Sequence, residues 1–252
     1  HCGYGSRCRE KRMERELSYD LHIHSCLSPC GDDDMTPGNI VGMAAIKGLD
    51  VIAVTDHNSC RNCPAVLKLA EQYGVLAIPG MELTTAEEVH AVCLFSELSA
   101  AMEFDLFVYG KLMKFPNREE IFGKQQIMNE EDICIGTEPN LLINSTELSF
   151  DELWDIVTGQ YGGVMIPAHI DKNANSLISN LGFVPPESQF RTAELHDMAA
   201  LEELKKSNPY LEQCRIICDS DAHYLEHIHE PEWKMKVREK SAKAVIAYLR
   251  GE

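Results

Sequence analysis

The chain has 252 residues, 44% of them apolar and 25% charged, with 23 basic against 40 acidic side chains and a net charge of −17. This composition excludes a disordered tract, and with no apolar run long enough to span a bilayer it excludes a membrane helix. So acidic a balance argues against a basic clamp on long nucleic acid and leaves a small phosphorylated substrate as the expected partner.

The first stretch, His1–Arg12, is polar and lacks the apolar centre of a signal peptide. Met13 is a candidate start, so residues 1–17 are taken as an N-terminal tail whose first twelve residues need not be native. Ten cysteines without an export signal imply reduced or metal-bound thiols, hence a cytoplasmic setting.

Beyond the tail, short apolar runs recur and end in polar, ligand-type residues. Tyr19–His24, Asp50–Asp56, Gly74–Glu82, Val89–Phe95, Gly163–His169, Ala193–His196 and Arg215–Asp219 have the length and the Val, Ile and Leu content of strands. Helical signals lie between them. Thr36-Pro37 opens a helix that Gly48 stops, and Ala65–Tyr73 stops at Gly74. Ser149-Phe-Asp-Glu152 is a capping box that starts a helix through about Thr158, and Glu239–Arg250 closes the chain as an amphipathic helix. Alternating strands and helices predict a parallel sheet with helical crossovers, and about seven such units suit a barrel. Residues 96–148 exceed a simple crossover and are expected to carry extra helices. The expectation is one domain over 18–252 with a helical insertion at about 96–148.

The sharpest motif is Asp20-Leu-His22-Ile-His24. Residues two apart on a strand share a face, so the two imidazoles can bind one cation while Asp20 orients a ring. Thr55-Asp56-His57, Glu82, His90, His169 and Asp219-Ser-Asp221-Ala-His223 each lie at or near the end of an apolar run. In a β/α barrel such ends converge on one face, where active sites form.

The ordered set DLHIHS, TDHN, GME, VHAV, PAH and SDAH resembles the PHP (polymerase and histidinol phosphatase) superfamily over about residues 18–250. The resemblance implies an α/β fold, a distorted TIM-like barrel of seven β/α units, and two or three divalent metals (zinc, manganese or iron). It implies a first metal on His22, His24, Glu82 and Asp221, with Glu82 bridging to a second on His90 and His169. His57 and His223 help hold a third. Where many members place another histidine this chain has Cys30, with Asp32 the alternative ligand. The implied activity is hydrolysis of a phosphomonoester or of a nucleotide or oligonucleotide phosphoester by a metal-bridging hydroxide. His57, His223 and Asp56 are the candidate proton donors, and Asp20, Asp56 and Asp219 the residues that orient the ligands.

Other features fit looser roles. Cys60-Arg-Asn-Cys63 could join Cys26 and Cys30 in a thiolate site, or serve as reduced structural thiols. His196 could line the pocket, His227-Ile-His229 is assigned to the surface, and Arg191 and Lys172 are candidate phosphate contacts or solvated charges. Two other readings compete: amidohydrolase-type C–N hydrolysis, which wants a metal-bridging lysine, and a metal-stabilised binding module without catalysis.

Overall fold

A computed structural model describes residues 13–252, so residues 1–12, the stretch that need not be native, lie outside the described residues. The fold is mixed α/β. It opens with β1 (Arg15–Ile23), α1 (Pro37–Lys47), β2 (Val51–Val54), α2 (Cys63–Tyr73) and the short β3 (Leu76–Ala77). Next come β4 (Gly80–Thr84), β5 (His90–Leu94), α3 (Leu98–Lys111), α4 (Glu119–Phe122) and a hairpin of β6 (Gln126–Met128) and β7 (Cys134–Thr137). The remainder is α5 (Phe150–Asp155), β8 (Val164–Pro167), α6 (Leu177–Leu181), β9 (Thr192–Leu195), α7 (Leu201–Ser207), β10 (Arg215–Cys218), β11 (Lys234–Val237) and α8 (Ala242–Arg250).

The capping signals act as their chemistry dictates. Thr36 accepts from the Asn39 backbone at the start of α1, and Gly48 ends it at φ 80°, which an L side chain resists. Ser149 and Glu152 form the reciprocal capping box of α5, whose continuation from Ile156 to Gln160 widens into a π-helical turn. The N-terminal boundary moves: Arg15, Glu16 and Leu17 belong to β1, because they pair antiparallel with Val237, Lys236 and Met235 of β11.

The sheet is not purely parallel, contrary to the crossover pattern expected. β1, β2 and β3 are parallel, and so are β9 and β10, but β4, β5 and β8 form an antiparallel group. The cause lies in connection length. Between β4 and β5 only Thr85–Val89 intervene, with Glu88 at φ 62°, whereas a parallel return needs a dozen residues or more. The predicted run Gly74–Glu82 likewise splits at Ile78-Pro79, where proline has no N–H to offer the ladder. Residues 96–148 hold α3, α4 and the β6–β7 hairpin.

One apolar cluster gathers Leu21 of β1, Val51 of β2, Val92 of β5, Ile166 of β8, Ile217 of β10 and Met235 of β11, with Val245, Ile246 and Leu249 of α8 packed against it. Burying each such side chain contributes about 1.5–3 kcal/mol. A second cluster seats Ile23, Ile52 and Val54 against α1 and α2. Isolated parallel bridges join Ile23 to Ala222 and His57 to Glu82, so the ends of β1, β2 and β4 and the segment after β10 meet on one side. Among the described residues no helix is long and apolar enough to cross a membrane.

Candidate metal centre

β1 delivers His22 and His24 through an irregularity. Tyr19 and Asp20 pair with Val51 and Ile52, then Ile23 pairs with Val54, so an extra residue bulges out between them. The period-two count that set Asp20 beside the histidines fails there. Asp20 instead accepts from the backbone N–H groups of Ser220 and His229, each at 3.1 Å. The orienting carboxylate of His22 is one that the sequence reading passed over. Glu194 on β9 takes the Nδ1 hydrogen of His22 at 2.9 Å and the backbone N–H of His169 at 2.9 Å. Its only signal was a glutamate inside an otherwise apolar strand, Thr192–Leu195, which is buried throughout.

The remaining residues arrive by similar local logic. Gly80 opens β4 where any side chain would collide with the Cys93 carbonyl of β5, and this close approach places Glu82 two residues on. His169 and Asp221 follow β8 and β10 with φ of 29° and 52°, a strained backbone for residues with side chains. The Glu194 contact to His169 helps hold that strain.

Three groups of donor atoms result, each lying within 4.8 Å of one another: His22, His24, Glu82 and Asp221; Glu82, His90 and His169; and His24, His57 and His223. Glu82 belongs to two of them with different oxygens. Its Oε2 faces His24 Nε2 at 2.8 Å and His22 Nε2 at 2.9 Å, and its Oε1 faces His90 Nδ1 at 2.7 Å and His169 Nε2 at 3.1 Å. Asp221 Oδ1 stands 3.0 Å from His24 Nε2 and 3.2 Å from His22 Nε2.

The proton positions show that this set fits a cation. His22 gives its Nδ1 hydrogen to Glu194. His24 gives its Nδ1 hydrogen to Ser28 Oγ at 2.9 Å, because Ser28 in turn donates to Asp56 at 2.8 Å. In the neutral rings both Nε2 atoms therefore carry lone pairs, 3.2 Å apart and aimed at two carboxylates. Acceptors facing acceptors in a buried site demand positive charge. Glu82 Oε2, Asp221 Oδ1 and the Nδ1 atoms of His57, His90 and His169 are buried without a hydrogen-bond partner among the described residues. In the protein alone, burial would push the His22 imidazole down. Glu194, Glu82 and Asp221 outweigh it and hold the group well above its ordinary value, and His24 is raised to about 9 in the same manner. Burial pushes the other way at Glu82, where His22 and His90 prevail and keep its carboxyl well below the usual range. His57 is driven well down, by burial first and then by the charge of His24, and His223 is lowered to about 4 for the same reasons.

The other sequence candidates fall in several places. Asp56 is buried behind His24 with its oxygens taken by Ser25 and Ser28, and burial raises its carboxyl. Asp219 accepts from the Leu21 backbone and is raised well above its ordinary value by burial and by neighbouring Glu194. Cys30 is exposed and lies outside the three donor groups, although it lines the cleft beside His57 and His223. Asp32 already accepts from the Asp34 backbone and donates its own N–H to the His223 carbonyl. Cys60 and Cys63 are buried, with Cys63 Sγ 3.4 Å from the Gly80 carbonyl, and neither joins a donor group with Cys26. Arg191 bonds Tyr210 and Gln213, away from the centre, whereas Lys172 places Nζ 2.7 Å from Asp221 Oδ2. His196, His227 and His229 line the cleft; His227 is exposed, as expected of the second H-x-H motif, whereas His229 is half-buried.

The donor set sits in an open pocket of about 420 Å³ walled by the loop Lys172–Asn175. An α/β scaffold presenting a histidine–carboxylate cluster of this kind defines a protein built to hold divalent metal. The PHP domain profile matches residues 20–226, and the chain belongs to that family. An uncharacterized protein of Methanocaldococcus jannaschii is 38% identical over 79 residues, 28% of this chain and 46% of that protein. A 5'-3' exoribonuclease of Haemophilus influenzae is 33% identical over 79 residues, 30% of this chain and 28% of that enzyme. The lesion-specific endonuclease Q of Pyrococcus furiosus superposes with a TM-score of 0.64 at 19% identity, covering 94% of this chain and 56% of that one. An endonuclease Q complex with a 27-mer duplex gives 0.65. At such identity the structural likeness is one of fold, and the aligned region spans under half of each curated relative and just over half of endonuclease Q.

These comparisons correct the expectation of a small phosphorylated substrate and of little use for long nucleic acid. One relative is named a 5'-3' exoribonuclease, and one structural neighbour is an endonuclease solved on a DNA duplex. The whole-chain charge sums over every surface, whereas a bound cation would reverse the local field of such a carboxylate cluster.

Proposed function

We propose that the chain is a metal-dependent hydrolase that cleaves phosphoester bonds in nucleic acid. The observation that carries the reading is Glu82, whose two oxygens face separate pairs of histidines at 2.7–3.1 Å. A carboxylate, not a lysine, spans the two groups, which weighs against the amidohydrolase alternative.

In this reading His22, His24, Glu82 and Asp221 hold one cation, and Glu82, His90 and His169 hold a second. Bound there, divalent cations such as zinc, manganese or iron offset charge on a phosphoryl group and acidify water. Glu194 and Ser28 fix the outer nitrogens of His22 and His24 so that the inner ones are free to ligate. His57 and His223 flank the pocket; His223 gives its Nδ1 hydrogen to the Asp221 carbonyl at 2.7 Å and so keeps Nε2 open. They add nitrogen ligands for a third cation, with Cys30 or Asp32 completing it. Asp56 serves His24 through Ser28 rather than meeting substrate.

The gathering of side chains from six strands in one apolar cluster supports a distorted barrel of seven β/α units. Hydrogen bonds from Gln126 to Cys26 and from Asn58 to Leu142 support treating 15–252 as one domain with 96–148 inserted. The described cysteines are free thiols, which supports a reducing, cytoplasmic setting.

The test is direct. Protein loaded with Mn²⁺ or Zn²⁺ is expected to hydrolyse DNA or RNA oligonucleotides and to stop when chelated. Inertness of the loaded protein towards single- and double-stranded DNA and RNA overturns the proposal.

A further inference from the structure

Beside the metal centre the cleft continues into a second chamber of about 520 Å³, lined by Lys172, His196, Tyr224, His227 and His229. It shares Asp221 and His223 with the first pocket, so it opens directly onto the donor groups. Tyr224 follows His223 in the chain and is 47% exposed. Its position is fixed: the Tyr224 carbonyl accepts from the His227 backbone at 3.1 Å, and the two rings meet edge-on at 74° with centroids 5.6 Å apart. An aromatic ring braced at its edge is a preformed platform whose face can take a flat partner. His229 adds an Nδ1 atom that is buried without a hydrogen-bond partner among the described residues. Lys172 lines both chambers and carries a cation at their junction.

The lining narrows what such a chamber accepts: strong binding to a duplex backbone draws on many lysine and arginine contacts, and Lys172 is the single one among the residues that line it. Stacking of an unpaired base on an aromatic ring supplies affinity without a basic track, and it requires a base free of its own duplex stack. Lys172, Asp221 and His223 line both chambers, so the second opens beside any phosphate held at the Glu82 centre.

We infer that the chamber is a nucleobase subsite, in which the nucleotide flanking the scissile phosphate of a single strand stacks on Tyr224 while Lys172 contacts the phosphate. The inference rests on the phosphodiesterase reading and adds to it a strand preference and a specificity residue.

The experiment uses the full chain loaded with Mn²⁺, a single-stranded oligonucleotide, the same sequence as a duplex, and single strands with an abasic residue on either side of the scissile phosphate in turn. Tyr224→Ala is expected to raise KM for the single strand by about ten- to hundredfold with kcat within about twofold, and Tyr224→Phe to restore it. One abasic position is expected to raise KM for wild type by a similar factor and to add nothing in Tyr224→Ala. The duplex is expected to be the poorer substrate for wild type. A Tyr224→Ala variant whose KM stays within about twofold of wild type, or whose loss adds in full to that of both abasic positions, overturns the subsite and leaves the hydrolase reading standing. Wild-type protein that turns over no phosphodiester overturns the underlying reading and the subsite with it.

Discussion

Glu194 accepts the Nδ1 hydrogen of His22 at 2.9 Å, and through the same oxygen it accepts the backbone N–H of His169. One buried carboxylate thus sets the tautomer of a histidine in one donor group and the backbone of a histidine in the other. Glu194→Gln keeps the shape but loses the charge that favours a proton on His22 Nδ1. The expected outcome is a ten- to hundredfold loss, roughly, in metal affinity with the fold retained. Metal titration by calorimetry, beside a circular dichroism spectrum, checks it; unchanged affinity refutes the role.

Glu82 is the shared member, so its loss differs from the loss of any single histidine. Glu82→Gln is expected to lower the bound metal content at both donor groups together and to cut turnover by at least about a hundredfold. His90→Ala, by contrast, removes a ligand from one group only. Metal analysis after gel filtration separates the two cases, and a Glu82 variant that keeps the wild-type metal content rules out bridging.

How much of this was legible in the chain depends on what each residue reports. His22, His24, Glu82, His169 and Asp221 announced themselves because ligand-type side chains at the ends of apolar runs are costly unless they meet a partner, whereas His90, which opens its run, stood out only as a member of the ordered motif set. Glu194 did not, since a lone glutamate in a four-residue strand looks the same whether it faces solvent or core. Asp20 was assigned the wrong duty because a bulge breaks period-two counting, and a bulge leaves no trace in composition. The antiparallel turn from β4 to β5 could have been found by counting the few residues between Thr84 and His90. The chamber beyond Asp221 was hidden in His227-Ile-His229, whose place depends on a fold-level contact: the His229 backbone N–H is tied to Asp20.

The link from Asp56 through Ser28 to His24 gives a second test of ligand orientation. Ser28→Ala removes the acceptor of the His24 Nδ1 hydrogen and leaves the imidazole free to change tautomer. Metal affinity is expected to fall roughly tenfold or more. Asp56→Ala also strands the Ser25 N–H and hydroxyl, so it is expected to destabilise the fold by about 1–3 kcal/mol as well. Thermal melts of the metal-free variants rank the two: Ser28→Ala, which also leaves the His57 N–H unpaired, is expected below wild type, and Asp56→Ala lower still.

The Cys60–Cys63 pair offers a negative test. Both thiols are buried, Cys63 Sγ reaches the Val54 and Gly80 carbonyls as well as Cys60, and neither cysteine belongs to a donor group. A Cys60→Ala, Cys63→Ala double variant is expected to lose stability through lost packing while binding as many metal ions per chain as wild type. A drop in stoichiometry on metal analysis shows instead that the C-x-x-C ligates.

Asn58 joins the metal centre to the inserted segment. Its Oδ1 accepts from Thr84 N–H at 2.9 Å on β4, two residues from Glu82, and its Nδ2 donates to the carbonyls of Leu142 and Asn144, each at 2.8 Å. At φ 48° it occupies a backbone region that asparagine tolerates better than most residues. Asn58→Ala forfeits all three bonds and leaves buried backbone groups unpaired, at about 1–3 kcal/mol each if none is re-satisfied. Because the anchor reaches β4, the loss is expected to show twice: as a lower melting temperature, and as faster amide exchange in both residues 138–146 and the Thr84 region. Hydrogen exchange read by mass spectrometry checks it, and faster exchange confined to the insertion shows that the segment and the centre are not coupled through this side chain.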